Sequence, residues 1–151
     1  MAIALTLHLL GVIVWVGGMF FAHMVLRGVL ARMLEPQQRL PVLLKVFDGF
    51  FPWVWLSVIT ILASGYWMLF VFYETETAFW LSFMSIVGTL MAAIFIYIYV
   101  LPYHQLDTGL KTHDMAKAVA AISQIRQLIL TNLVLGLLVT VVALFGKYGL
   151  I

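Results

Sequence analysis

The stretch Leu7–Arg27, LHLLGVIVWVGGMFFAHMVLR, decides the fold. Apart from His8, His23 and the closing Arg27, every residue in it is apolar or glycine. A helix needs about 20 such residues to cross the hydrocarbon core of a bilayer. The run has no basic leader and outlasts the apolar part of a secretory signal, so it reads as a retained transmembrane helix. The question it raises is what two histidines do there, because an imidazole in lipid is costly to bury.

Composition points the same way. The chain of 151 residues is 65% hydrophobic and 9% charged, with a mean hydropathy of +1.14. A soluble domain of this size needs far more charge to cover its surface. The chain therefore reads as one integral membrane domain, residues 1–151, with the lipid bilayer as its solvent. A net charge of +2 gives no footprint for nucleic acid. With no cysteine, disulfides, iron–sulfur clusters and thiolate metal sites are excluded.

Working outward from the first span, three more segments are long and apolar enough to cross. The expected helices cover about 2–26, 52–73, 79–101 and 125–145, an all-α bundle of four transmembrane helices. Pro52 suits the first turn of the second helix, and Pro102 marks the exit of the third. Arg27, Arg32, Arg39, Lys45, Lys111, Lys117 and Arg126 fall on one side, and only Lys147 of the eight basic residues falls on the other. The positive-inside rule then predicts cytoplasmic long loops and periplasmic termini in a bacterial inner membrane. The loop segment LEPQQRLPVLLKVFDGFF has helical spacing and is expected to lie along the interface as an amphipathic helix. HDMAKAVAAISQIRQLI reads as a helix start capped by Asp114.

Helical spacing sorts the polar residues by face. His8, Gly11, Trp15 and Gly18 share one side of the first helix, with His23 rotated about 60° from His8. Ser57, Thr60 and Ser64 form a polar stripe on the second helix, and Ser82, Ser85 and Thr89 form another on the third. Such stripes usually bond their own preceding turn or a neighbouring helix. Asn132 is expected to make an interhelical hydrogen bond.

Depth then sorts which residues can meet. His8 shares an outer layer with Met68 and Met84, ringed by Tyr66, Trp67, Trp80 and Ser82. His23 lies in an inner layer about 22 Å away along the helix axis, so the two histidines cannot hold one metal. Met19 and His23, four residues apart, make a separate inner pair. His104 is a loose partner for His23 at the membrane surface, and His113 is a solvated loop residue. Imidazole and thioether together suit haem iron or the soft ion Cu(I).

The motifs LHLLGVIVWVGGMFF, FFPWVWLSVITILASGYWM, YVLPYHQL and QIRQLILTNLVLGLL together resemble the CopD-like bacterial membrane proteins, and more distantly the HemJ-type protoporphyrinogen oxidases. The resemblance spans nearly the whole chain. It implies copper uptake or resistance on the CopD side, and a b-type haem with a first-helix histidine, here His8, on the HemJ side. It also implies histidines near the start and end of the third helix, where this chain has Ser82 and Tyr97. The HemJ-type third-helix lysine has no counterpart.

Three readings follow. The first is a haem-b redox protein with His8 and Met84 as axial ligands, Gly11, Trp15 and Ser82 beside the porphyrin, and a quinone or a periplasmic redox protein as partner. The second is copper handling, with His8, Met68 and Met84 as an outer site, Met19 and His23 as an inner one, and a periplasmic copper protein as partner. Because four helices make a thin pathway, this reading favours a homo-oligomer. The third is a cofactor-free accessory subunit. Catalysis by side chains alone is not expected, since the six carboxylates, Glu35, Asp48, Glu74, Glu76, Asp107 and Asp114, all fall in expected loops.

Overall fold

In a computed structural model that describes residues 1–73 and 78–149, the chain forms four long helices. These are α1 (Ala2–Met33), α2 (Pro36–Phe72), α3 (Phe79–Lys111) and α4 (Met115–Lys147), each apolar enough to cross a membrane. Among the described residues there is no strand. The expected short loop YETETA, with Glu74 and Glu76, falls mostly outside the described residues.

The helices run longer than the sequence suggests. At 1.5 Å per residue they reach about 48–55 Å, against about 30 Å of hydrocarbon. The surplus comes from the expected loops. The segment expected to lie along the interface instead continues α2 in one helix through Pro41 and Pro52, so Pro52 sits well inside that helix rather than at its start. Each interior proline forfeits one backbone bond, a loss that membrane helices tolerate when neighbours pack around it. Pro102 likewise does not end α3; it is absorbed by a π-helical turn at Tyr99–Tyr103. A second π-helical turn, Phe21–Leu26, interrupts α1. Asp48 and Asp107 therefore lie on helices rather than in loops.

Tight reversals leave the helices antiparallel. Leu34 and Glu35 take extended conformations ahead of Pro36, which opens α2 in its first turn. Between α3 and α4, His113 adopts a left-handed φ of 57°. The Asp114 carboxylate then caps α4 by accepting the Lys117 amide at 3.0 Å, as expected from the sequence.

α1 packs chiefly on α2, and α3 chiefly on α4. In both pairs, residues early in one helix meet residues late in the next. His8 meets Ile61 and Gly18 meets Phe50, while Gly146 meets Trp80 and Asn132 meets Met91. Seven of the eight basic residues thus gather at one end of the bundle, with Met1 and Lys147 at the other.

The core sits toward the basic end. Phe51 and Phe95 meet edge to face at 5.6 Å, and Trp55 adds its edge to Phe95 at 5.2 Å. Trp15 closes on Phe95 from α1. The Tyr103 hydroxyl donates to Asp48 at 2.5 Å, tying α3 to α2. Asn132 makes the interhelical bond expected of it, donating to the Met91 carbonyl at 3.1 Å. The hydroxyls of Thr60, Ser64, Ser85 and Thr89 all bond the carbonyl four residues before them.

The α3–α4 turn leaves no space at Gly109. A Cβ there would lie 2.9 Å from the Ala118 nitrogen and 3.1 Å from the Asp114 carbonyl, both backbone atoms. Gly109→Ala should cost about 1–3 kcal/mol, read as a lower thermal unfolding midpoint in detergent. An unchanged midpoint would show that the turn is looser than described.

Candidate functional site

His8 leaves α1 toward α2 and is half-buried. Its Nδ1 lies 3.1 Å from the Ile61 carbonyl oxygen and 3.2 Å from the Ser64 hydroxyl. A carbonyl can only accept, so Nδ1 is the donor. Ser64 has already given its own proton to the Thr60 carbonyl, at 2.5 Å, so it too receives from the ring. In the neutral imidazole this leaves the lone pair on Nε2, the nitrogen that a metal or a proton donor would meet.

Two glycines set the ring's position. A Cβ on Gly65 would stand 3.1 Å from His8 Cε1 and 3.3 Å from Nδ1, so the bare glycine backbone lets the imidazole approach α2 closely. One turn deeper, a Cβ on Gly11 would stand 2.8 Å from the Ile61 side chain and 3.2 Å from the Ser57 carbonyl. The helices approach closely there, and the ring is braced between that contact and the polar stripe of α2.

His8 opens onto a cavity of about 390 Å³ at the terminal end of the bundle. Met68 from α2 and Met84 from α3 line the same cavity, so the three residues expected in the outer layer do share one space. Tyr66 and Trp80 also line it. The Tyr66 hydroxyl bonds the Thr89 hydroxyl at 2.7 Å, bridging α2 and α3 along one wall. Met1 brings a further thioether and Lys147 an ammonium.

The other residues picked out from the sequence lie elsewhere. Gly11 is occupied by the packing of α2, and Trp15 is buried in the core beside Phe95. Ser82 is exposed and Trp67 is half-exposed; neither lines the cavity. Met19 is buried in the core at 3% exposure, whereas His23 lines a second cavity at the basic end that Met19 does not reach. His104 is exposed and meets Tyr99 edge to face and Tyr103 at a tilt, and it does not line the cavity that holds His23. Among the described residues, no group of three or more His, Cys, Asp or Glu side chains could hold a metal ion. Any metal at His8 would therefore draw on thioether sulfur, which is a soft donor.

Sequence reasoning missed Ser64 as the partner of His8, although the signal was there. Ser64 stands at the depth of His8 on a helix running the opposite way, and its stripe faces inward. Met1 and Lys147 were missed because only the folded ends of α1 and α4 bring them to the cavity.

The family model for copper resistance protein D matches residues 44–145. The chain belongs to the CopD family. The matched region runs from within α2 almost to the end of α4, so it takes in Met68 and Met84 and begins after His8. No curated protein and no solved structure matches the chain.

Proposed function

We propose that this CopD-family protein handles copper in the membrane, with Cu(I) as cargo held at the terminal-end cavity by His8, Met68 and Met84. The observation that carries the reading is the His8 ring, whose Nδ1 proton is committed to α2 while Nε2 remains available in a cavity shared with two thioethers. A hydrogen bond from the other ring nitrogen to a carbonyl fixes the tautomer of metal-binding histidines and raises their basicity. Imidazole with thioether sulfur suits a soft monovalent ion, and no charged ligand need be brought into lipid. The family's copper-resistance description supports the same cargo.

Haem b is the weaker reading. Of the residues expected around a porphyrin, only His8 and Met84 border the cavity. Gly11 gives its space to α2, Trp15 belongs to the aromatic core and Ser82 faces away. The residues present do not form the expected cradle.

Anaerobic titration of the purified protein with Cu(I) against a competing chelator tests the proposal. One Cu(I) should bind, and His8→Ala or the paired Met68→Leu and Met84→Leu should weaken it about tenfold or more. Met19→Leu with His23→Ala should leave this site intact. Full affinity in His8→Ala would remove it.

By the positive-inside rule the basic end lies in the cytoplasm, which would place this cavity toward the periplasmic face of a bacterial inner membrane. The chain has no cysteine, so single-cysteine variants report sidedness cleanly. A membrane-impermeant maleimide added to spheroplasts should label Lys147→Cys and spare Arg32→Cys. The reverse pattern would invert the orientation.

A further inference from the structure

The basic end holds a second cavity, of about 270 Å³, between α1, α2 and α4. Its polar lining is His23 and Arg27 from α1, Arg39 from α2, and Ser123 and Arg126 from α4. Three arginines from three helices thus line one space, Arg39 half-buried and Arg27 and Arg126 exposed, and among the described residues no carboxylate lines it with them. The ion pairs among the described residues are Lys45–Asp48 and Lys111–Asp107, and neither involves an arginine. Arg39 is the most committed of the three. It is half-buried, and among the described residues its Nε is buried with no hydrogen-bond partner and its one side-chain bond is a long one of 3.5 Å to the Leu34 carbonyl.

Like charges lining one space repel one another, and a buried N–H without a partner, as at Arg39, is costly. An anion relieves both costs. Guanidinium presents paired N–H groups that match the oxygens of a phosphate. The rest of the wall is apolar, with Leu26, Leu40, Phe47, Ile122 and Ile129 prominent. The cavity also reaches the outer surface of the bundle, since Val119 on its rim is 50% exposed. The π-helical turn Phe21–Leu26 supplies Ala22, His23 and Leu26 to this wall, and such turns often mark functional positions. Arg27 ends the apolar run of α1, so the polar group would sit at the depth of lipid headgroups and the apolar wall at the depth of acyl chains.

We propose that this cavity is a binding site for an anionic phospholipid, its phosphate held by Arg27, Arg39 and Arg126 and an acyl chain lying along the apolar wall. Basic pockets between transmembrane helices bind anionic headgroups in this way. The site is at the opposite end from the His8 cavity, and its existence does not depend on the copper reading.

Native mass spectrometry of the intact protein in detergent tests it, with phosphatidylglycerol, phosphatidylcholine and inorganic phosphate as probes. Phosphatidylglycerol should be retained one per chain in preference to phosphatidylcholine, and millimolar inorganic phosphate should not displace it. The paired Arg39→Gln and Arg126→Gln variant should lose retention about tenfold or more. Arg32→Gln, at the same end but outside the cavity, should retain it. Equal retention of the two lipids by the wild-type protein overturns the proposal without reliance on any variant. Displacement by phosphate reassigns the site to a soluble anion, and an equal loss in Arg32→Gln reduces it to general surface charge.

Discussion

The close approach of α1 to α2 is the constraint on which the rest depends. At Gly11 a single added carbon would run into Ile61 and the Ser57 carbonyl, and at Gly18 it would run into the Phe50 ring. In lipid, helices gain little from burying apolar surface against each other, so contact of this closeness and the polar bonds it permits must hold them. Here it brings the His8 ring within reach of a main-chain carbonyl that already serves its own helix. The pairing settles where the imidazole proton resides, and through that which nitrogen remains for chemistry.

The same contact divides the molecule into two ends. Bulky rings from α1, α2 and α3 pack into the middle and the basic half, where Phe51, Trp55 and Phe95 interlock. A cavity with sulfur, imidazole and one ammonium, from Lys147, lies on one side of that plug, and a cavity lined by three arginines lies on the other. The chemistry of the two ends differs accordingly. One offers soft donors with little charge, and the other offers charge without a counter-ion. Met19, four residues before His23, is sealed in the core and lines neither cavity.

Much of this was legible in the residues. Hydropathy gave four spans, the distribution of Lys and Arg separated the two ends, and depth alone grouped His8 with Met68 and Met84. The helix ends were less legible, because Pro41, Pro52 and Pro102 read locally as boundaries. Packing in a membrane bundle tolerates the bonds they forfeit, and a π-helical turn absorbs Pro102. Facing was only partly legible. Ser82 and Trp15 share depth or face with candidate ligands, yet the rotation of α3 turns Ser82 outward and the aromatic plug claims Trp15. The convergence of Arg27, Arg39 and Arg126 was read only as topology, since their meeting requires α1, α2 and α4 to extend beyond the hydrocarbon.

The most direct test of the account is nitrogen-15 NMR of histidine-labelled protein, with His8 assigned by difference from His8→Ala, before and after one equivalent of Cu(I). The account predicts a His8 ring protonated at Nδ1 and bare at Nε2, with Cu(I) shifting the Nε2 signal while the Nδ1–H signal persists. A proton found on Nε2, or a His8 ring indifferent to Cu(I), would contradict it.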